Sequence, residues 1–403
     1  MALSRRANHG GLFRRALFAL SLALLASSLS VATVSDVSAA KRYRKKSRQV
    51  VDGLRLIRIY DNVLGTRIKV LKIDPSSALT LDVGLSNGVL PERETTRSIA
   101  ARHGALAAVN ASFGLSWGRP LGVFAEDGSL KSSPIAEGGA FAIDRAETRA
   151  HIGHPELTIA VRNQRTGTKW FIKDWNDQYP NRDRIAGYTA AGGEVVPPPR
   201  YSCSVRLQPK TRMQWGRNDI GLWRRYVVAQ KRCDDDRLSL RGGVVLAAAT
   251  NSIGAEKIKQ AKRGDTVTMG WSVGWPGVMD VLGGSPVMLN EGQIVIEPCD
   301  AYVCKRHPRT GVGITPAGDI LLVTADGRQA DSNGLTIVQF ALFMKWLGAS
   351  EALNLDGGGS TTMVLKDRII NIPSDPSGER AVASALLVLP GPDLDEPAPR
   401  PAR

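Results

Sequence analysis

Beyond residue 40, the 403-residue sequence has no apolar run long enough to cross a membrane, which takes about 20 predominantly apolar residues. Histidine and cysteine are also scarce, with five and four residues. The histidines lack the spacing of metal ligands and of a nucleophile–base pair, so they are interpreted as structural. There is no G-K-[S/T] phosphate loop, no internal repeat and no heptad pattern. These absences argue against P-loop nucleotide hydrolysis and against covalent acyl transfer.

The first 40 residues have the order of a secretory signal peptide. Four arginines precede the apolar run Ala16–Leu25, and small residues at 38–40 offer a cleavage site. The alternative is an uncleaved membrane anchor, although the dense apolar run is short for a span. Sec and twin-arginine export both remain open. We therefore expect a periplasmic or secreted protein that is not an integral membrane protein after processing.

The positive charge is concentrated near the predicted cleavage site. The formal net charge is +15, and it falls to +12 without residues 1–40, which hold four Arg and one Asp. Six of the remaining positive charges lie in residues 41–48. Residues 41–52 are predicted to be a basic disordered linker, either a solvated tail or a contact for an anionic envelope polymer or membrane surface. Tyr43 is the single aromatic residue among these charges, whereas nucleic-acid-binding arms interleave several, so a nucleic-acid partner is not expected.

Four cysteines follow the predicted signal peptide. In an oxidising compartment their even number and spacing suggest the pairs Cys203–Cys233 and Cys299–Cys304. The competing interpretation is zinc bound by Cys299, Cys304 and His307, which lacks the second close Cys/His pair of a tetrahedral site. We predict disulfides and no bound metal.

Alternating and apolar segments separated by Gly, Pro and Asn turns predict many strands and few helices. The predicted fold class is α+β, with mixed β-sheets and a C-terminal strand–helix–strand unit. The predicted organisation is an N-terminal strand region at 53–99 packed on a main domain at 100–390, which includes an inserted lobe at 155–240. Residues 391–403 are predicted to be a disordered proline-rich tail.

The strand–helix–strand unit is the most informative segment. Residues 320–325 and 351–355 have the pattern of strands, and residues 335–347 that of a buried helix between them. A crossover of this length normally makes the two strands parallel. Because parallel strands end at the same edge of a sheet, where ligands commonly bind, Asp326 and Asp356 should lie near one another.

Three glycines, Gly357–Gly359, follow Asp356 and carry a large backbone entropy cost. One interpretation is a loop whose N–H groups, with the hydroxyls of Ser360 and Thr361, meet an anion. The alternative is a tight turn without a ligand. Arg309, in His307-Pro-Arg-Thr310, suits bidentate binding of a phosphate or carboxylate, or is a structural arginine.

Several blocks in this order resemble the phosphodiester glycosidase family. They are AAVNASF at 107–113, GGSP at 283–286, HPRTGVGI at 307–314, TADGR at 324–328 and LNLDGGGSTTM at 353–363. The resemblance covers about residues 100–390 and is specific because the blocks occur together. One departure is Gly114, where relatives often have a second aromatic after Phe113, which puts the sugar pocket in question.

The resemblance implies hydrolysis of a sugar-1-phosphodiester to free sugar and a phosphomonoester, with no cofactor. It implies catalytic roles for Asp356, Asp326 and Asn354. The substrate- or phosphate-binding residues that it implies are Asn110, Arg309, Thr310, Arg328, Gly357, Gly358, Gly359, Ser360, Thr361 and Arg380. Two other hypotheses remain: a metal-dependent phosphodiesterase with Asp326 and Asp356 as ligands, and a non-catalytic polysaccharide-binding or envelope-assembly protein.

Overall fold

The computed structural model describes residues 42–146, 149–177, 184–193, 203–216, 220–233, 238–296 and 305–391. The predicted signal peptide, the predicted tail from residue 392 and the predicted Cys299–Cys304 disulfide lie outside these ranges. Within them the chain is mostly strand with few helices, so the predicted α+β class is confirmed. None of the helices in this part of the chain has the length and apolar character of a membrane span.

The first sheet has eight strands and carries the predicted site. Its spatial order is β1 (Tyr43–Val51), β2 (Leu54–Asp61), β3 (Thr66–Ile73), β23 (Ile320–Ala325), β22 (Arg309–Ile314), β24 (Glu351–Asn354), β20 (Val287–Asn290) and β21 (Gln293–Ile294). Strands from the start and the end of the chain are thus hydrogen-bonded neighbours, since β3 pairs with β23.

Two five-stranded sheets share the main core with the first sheet. The second sheet has the order β26 (Arg368–Ile369), β25 (Met363–Leu365), β6 (Ala107–Asn110), β28 (Ser384–Pro390) and β4 (Leu79–Leu85). The third has the order β10 (Ala150–Gly153), β9 (Gly139–Asp144), β19 (Val278–Gly284), β7 (Phe124–Glu126) and β8 (Ser129–Ser132). The short strands β5 (Glu94–Thr95) and β27 (Ala381–Val382) pair separately. Apolar side chains from the first three sheets form one continuous cluster, in which Leu71, Phe141 and Leu386 are buried.

The fourth sheet has its own core. Its order is β14 (Cys203–Pro209), β17 (Val244–Ala248), β13 (Ile185–Tyr188), β12 (Lys169–Trp175), β11 (Thr158–Asn163), β18 (Thr266–Pro276), β16 (Ile220–Cys233) and β15 (Gln214–Trp215). Strand β16 also pairs with β14, which closes the sheet on itself. The Cys203–Cys233 disulfide joins these two strands, as predicted. The sheet reaches residue 276, so it extends beyond the lobe predicted at 155–240.

Three α-helices lie in the described ranges: α1 (Thr96–Arg102), α2 (Ile253–Lys259) and α3 (Ile337–Trp346). The predicted crossover helix is α3, and Thr336 and Gln339 begin it with a reciprocal capping box. It packs closely on β22, because Cβ atoms at Gly311 and Gly313 would lie 2.8 Å from Phe340 and 2.7 Å from Met344. The alternate glycines of β22 therefore make room for the helix.

The prediction of a disordered linker at residues 41–52 is wrong. Residues Tyr43–Val51 form β1, an edge strand paired antiparallel with β2 over eight residue pairs. The Tyr43 ring packs on Trp346 of α3 at 4.1 Å between centroids, and Arg42 pairs with Asp61. Main-chain pairing needs no apolar side chains, and charged residues on an edge strand oppose aggregation. Charge density alone therefore misled the prediction. The strands of the predicted 53–99 region are likewise integral members of the sheets.

Candidate active site

The central prediction about strand direction is confirmed, with one addition. Strand β22 pairs antiparallel with both β23 and β24, so these two strands run in the same direction. They are not neighbours, because β22 lies between them. Asp326 follows β23, Asp356 follows β24, and Arg309 begins β22. The three predicted residues therefore lie at one edge of the sheet.

Asn110 holds the loop after β24 in place. Its side chain is fully buried. Its Nδ2 donates to the Asp356 carbonyl oxygen at 2.7 Å, while its Oδ1 accepts from the Thr310 hydroxyl at 2.8 Å and from the Thr362 N–H at 3.0 Å. One amide thus ties β22 to both ends of the glycine loop. Asn110 and Thr310 position the loop and are hidden from a ligand.

The glycine loop directs most of its N–H groups into the protein. The N–H groups of Gly358, Ser360 and Thr361 donate to main-chain carbonyls at 2.9–3.2 Å. Gly358 has φ +62°, in the left-handed region that favours glycine. A Cβ at Gly357 would lie 2.8 Å from the Pro308 carbonyl oxygen. Turn geometry and close packing therefore explain these glycines, in agreement with the tight-turn alternative rather than with a row of N–H groups open to an anion.

Arg380 and Asp375 form a bidentate ion pair beside this loop. The Arg380 Nε donates to Oδ2 at 2.7 Å and the Nη2 to Oδ1 at 3.0 Å. A Cβ at Gly359 would overlap both side chains. Gly359 thus allows a half-exposed guanidinium to lie directly against the loop that carries Asp356.

Asp356 is half-buried at the start of the loop. Burial raises the pKa of its carboxyl, and the Ser360 hydroxyl, the Gly357 N–H and the charges of Arg380 and Arg93 oppose that rise. The surroundings thus supply donors and positive charge to the ionised form while the side chain stays partly accessible. This combination suits a carboxylate that must act on a bound substrate.

Asp326 has a different environment. It is 1% exposed, its Oδ1 accepts from the Ile372 N–H at 3.0 Å, and its Oδ2 lies 3.7 Å from Arg67 Nε and 3.9 Å from Lys69 Nζ. Burial is the main cause that raises the pKa of Asp326, against these donors and cations. Asp326 and Asp356 share a sheet edge but are surrounded by different groups. Asp326 is shielded from substrate in this structure.

Arg309, His307 and Arg328 form the basic side of the site. Arg309 is 8% exposed and is anchored by Nε to the Leu335 carbonyl at 2.9 Å and by Nη2 to the Lys305 carbonyl at 3.0 Å. The exposed Arg328, at φ +59°, places Nη2 3.1 Å from His307 Nδ1. Burial lowers the pKa of His307, and Arg328, Arg309 and Lys305 lower it further. The basic surroundings thus favour the neutral form of the imidazole.

A cleft of about 350 Å³ opens beside this basic side. Asn354 lines it and donates Nδ2 to the Ser285 carbonyl at 2.7 Å, while its buried Oδ1 accepts no hydrogen bond from the described residues. Several separate segments of the chain form the rest of the wall. The lining residues are Phe113, Leu121, Gly122, Ala136, Glu137, Gly138, Gly283, Gly284, Ser285, Pro286, His307, Arg309, Ile337 and Asn354. Apolar walls with a few polar atoms are typical of small-ligand sites.

Sequence reasoning missed several contributors to this arrangement. In the sequence, His307 is only a member of the string HPRTGVGI and a candidate zinc ligand. Lys69 gives no signal, because its partner Asp326 lies 257 positions further along the chain. Among the described residues, the carboxylates close enough to share a metal ion are Asp82, Asp127 and Asp280. None of these three belongs to the predicted set.

The part of the chain that resembles known proteins includes the segment that forms most of the candidate site. Residues 226–389 match the phosphodiester glycosidase family model. N-acetylglucosamine-1-phosphodiester α-N-acetylglucosaminidase of Mus musculus is 33% identical over 108 residues, which is 25% of this chain and 20% of that protein. The human protein of the same name is 32% identical over 108 residues, with the same shares of the two chains. The chain thus spans about a fifth of the length of these relatives.

The fold itself is found in a solved structure. A hypothetical protein from Synechocystis superposes with a TM-score of 0.68 at 22% identity, over 86% of this chain and 63% of that one. The matched family segment contains the strands β22–β24 and the whole loop from Asn354 to Thr361. Through residues 226–389, the chain is thus similar to the phosphodiester glycosidase family.

Proposed function

We propose that this protein is an exported hydrolase that cleaves a sugar-1-phosphodiester to the free sugar and a phosphomonoester. One observation carries the proposal: the family's glycine loop brings the half-buried Asp356 to the sheet edge that also carries Arg309 and Asn354 of the cleft. Export is supported by the signal-like residues 1–40 and by the Cys203–Cys233 disulfide, which persists only in oxidising surroundings. The names of the mammalian relatives make an N-acetylglucosamine-1-phosphodiester the first substrate to test.

The charges fit the demands of this reaction. When the bond between the anomeric carbon and the phosphate oxygen breaks, the carbon becomes positive and the phosphomonoester leaves as an anion. Water then supplies a hydroxyl group to the sugar and a proton to the products. In our proposal the Asp356 carboxylate stabilises the positive carbon, and Arg328 with Arg380 meets the phosphate. Because a phosphate is a stable leaving group, a strong general acid is unnecessary.

Asn354 and Arg309 have complementary roles in the proposal. Asn354 lines the cleft, and its buried Oδ1 has no partner among the described residues. In our proposal this oxygen accepts a hydrogen bond from a sugar hydroxyl when substrate enters the cleft. Its Nδ2 is held by Ser285, which fixes the amide orientation. Arg309 is anchored to two carbonyls and presents a fixed positive charge at the wall. Fixed dipoles and charges of this kind lower a barrier without reorganising.

The metal-dependent alternative meets an obstacle at Asp326. Its Oδ2 already lies within 4 Å of the cationic groups of Arg67 and Lys69. A divalent cation bound there would face two positive charges at close range, which is unfavourable in a buried site. We therefore assign Asp326 a positioning role in the proposal, as the carboxylate that joins β3 to the Ile372 segment.

The test is a screen of sugar-1-phosphodiesters that follows free sugar and phosphomonoester in the same reaction. Wild type should release both in equal amounts. Asp356→Asn keeps the shape of the side chain and removes its charge, so kcat should fall by roughly 10² or more with little change in KM. Thermal melting of both proteins controls for folding. If compounds of the screen bind and none of them is cleaved, the protein is a glycan-binding protein instead.

A further inference from the structure

One face of the N-terminal hairpin of the first sheet is strongly basic. Arg44, Lys46 and Arg48 alternate along β1, so they project from the same face of the sheet. Arg58 of β2 lies directly opposite Lys46, so its side chain is on this face too. All four side chains are exposed. We call Arg44, Lys46, Arg48 and Arg58 the basic face.

The cross-strand register aligns like charges. Lys46 is opposite Arg58 on β2, and Arg58 is opposite Lys69 on β3, so three cations form one row across three strands. Burial is the main cause that lowers the pKa of Lys69. Asp326 opposes this effect, and the charges of Arg67 and Arg58 lower the pKa further. Like charges directly opposite one another destabilise a sheet. Asp326 lies beside Lys69, and an anion bound over Lys46 and Arg58 would relieve the remaining repulsion.

Carboxylates of the protein do not neutralise the basic face. In the described part of the chain, none of its four side chains is ion-paired with a carboxylate. The Arg44 guanidinium lies over the Tyr60 ring, 4.8 Å from its centroid. At the neighbouring strand β3, Asp326 lies by Arg67 and Lys69, and Asp331 pairs with Arg67. The face therefore keeps an excess of four positive charges.

The basic row leads to the candidate active site. Lys69 ends the row at Asp326, whose Oδ1 accepts from the Ile372 N–H. The adjacent Asn371 donates to the Thr361 carbonyl at 2.9 Å, at the end of the glycine loop. Positive surface and reacting loop are thus joined by a short chain of contacts.

The strand register gives the direction on the surface. Arg44 lies opposite Tyr60, and Tyr60 lies opposite Arg67. The Arg67 carbonyl accepts from the Asp326 N–H, so the Arg44 end of the basic face is at the edge of the sheet that carries the site.

We propose that the basic face binds a linear polyanion whose units are joined by phosphodiesters, so that the substrate class is a phosphate-linked polymer rather than a single small diester. This inference rests on the proposed function. Spacing supports it, because cations on alternate residues of β1 recur about every 7 Å along the strand. That is the arrangement with which a protein tracks a repeating phosphate chain. The aromatic ring on this face is that of Tyr60, which Arg44 covers. Strands β1 and β2 expose no large apolar side chain for insertion into a membrane.

The experiment measures binding separately from cleavage. The probe is a synthetic poly(glycerol phosphate), a linear chain joined by phosphodiesters that contains no sugar to be released. The test variant is Arg44→Gln/Lys46→Gln/Arg48→Gln/Arg58→Gln. The matched control is Lys45→Gln/Arg55→Gln/Arg162→Gln/Arg225→Gln. It removes the same number of exposed charges from residues outside the basic face. Binding is followed by fluorescence anisotropy over a series of salt concentrations, with inorganic phosphate and phosphatidylglycerol vesicles as comparison ligands.

We expect wild type and control to bind the polymer alike and the test variant to bind it roughly 10-fold more weakly or worse, with a shallower salt dependence. Hydrolysis of a small sugar-1-phosphodiester should be equal in all three proteins. Equal polymer binding by the test variant and wild type would overturn the inference. So would vesicle binding that depends on the basic face while the polymer does not bind. Because the polymer carries no cleavable sugar, failure of the proposed function alone would leave the binding result unchanged.

Discussion

Replacing Asn110 with alanine should damage both the fold and the reaction, because this one amide joins three elements of the site. The change leaves the Asp356 carbonyl, the Thr310 hydroxyl and the Thr362 N–H without their partner in a fully buried position. An unsatisfied buried polar group costs about 1–3 kcal/mol. Allowing for some relaxation, we expect a loss of about 3–5 kcal/mol in the free energy of unfolding.

Asn163→Ala is the matched control for that loss. The Asn163 side chain is also fully buried and also makes three hydrogen bonds, with Asp265, Arg165 and Thr166, in the fourth sheet. Both variants should therefore lose a similar amount of stability in denaturant unfolding. Only Asn110→Ala releases the loop that carries Asp356, so only it should lower kcat below the melting temperature, by roughly 10² if the carboxylate moves about 1 Å.

Two results would refute this reasoning. If Asn110→Ala unfolds at the same denaturant concentration as wild type, its hydrogen bonds do not hold the site together. If both alanine variants lose activity equally, the loss reflects stability and not the position of Asp356.

Three further predictions concern the loop, pH and the disulfide. The methyl group of Gly359→Ala would overlap the side chains of Arg380 and Asp375. Displacing Arg380 should raise KM for a phosphodiester substrate with little loss of melting temperature, and an unchanged KM would contradict the phosphate-binding role of Arg380. The hydrogen bond with the Asp82 carboxylate raises the pKa of His103 above its ordinary value. The stability that protonated His103 contributes is therefore full below about pH 6.5, the pKa in the unfolded chain, and is lost as the pH rises through the higher pKa of the folded protein. A His103→Gln variant should flatten that part of a stability–pH curve, and a curve unchanged by the substitution would exclude the pair. Replacing Cys203 and Cys233 by serine opens a cross-link with a sequence separation of 30 and should cost about 3–4 kcal/mol in denaturant unfolding, whereas an unchanged midpoint would show that the cross-link adds no stability.

The sequence predicted the elements of the site better than its interior contacts. The periodicity around α3 gave the common direction of β23 and β24, and hence the shared edge of Asp326 and Asp356. It could not show that β22 lies between β23 and β24 in the sheet. The local sequence pattern of these three strands would be the same if their spatial order were different. Local periodicity reports which side of a strand is buried, and it is silent about which strands are neighbours.

Burial and hydrogen bonding decided what the sequence left open. Asp326 and Asp356 look alike as sequence, each at a strand end followed by glycine, yet one is shielded by Arg67 and Lys69 and the other is half-exposed. The glycine loop likewise fits either an anion site or a tight turn until its N–H groups are traced to main-chain carbonyls. The cationic partners of Asp326 lie more than 250 residues away in the sequence, and no local pattern encodes them.

The most direct test of the proposed reaction is the fate of oxygen from solvent. The wild-type enzyme is incubated with a sugar-1-phosphodiester in ¹⁸O-labelled water, and a parallel reaction contains a chelator. The masses of both products are then measured by mass spectrometry. Cleavage between the anomeric carbon and oxygen predicts the label in the sugar, an unlabelled phosphomonoester and no effect of the chelator. Label in the phosphomonoester, with activity lost to the chelator, would contradict the account and identify a metal-dependent phosphodiesterase.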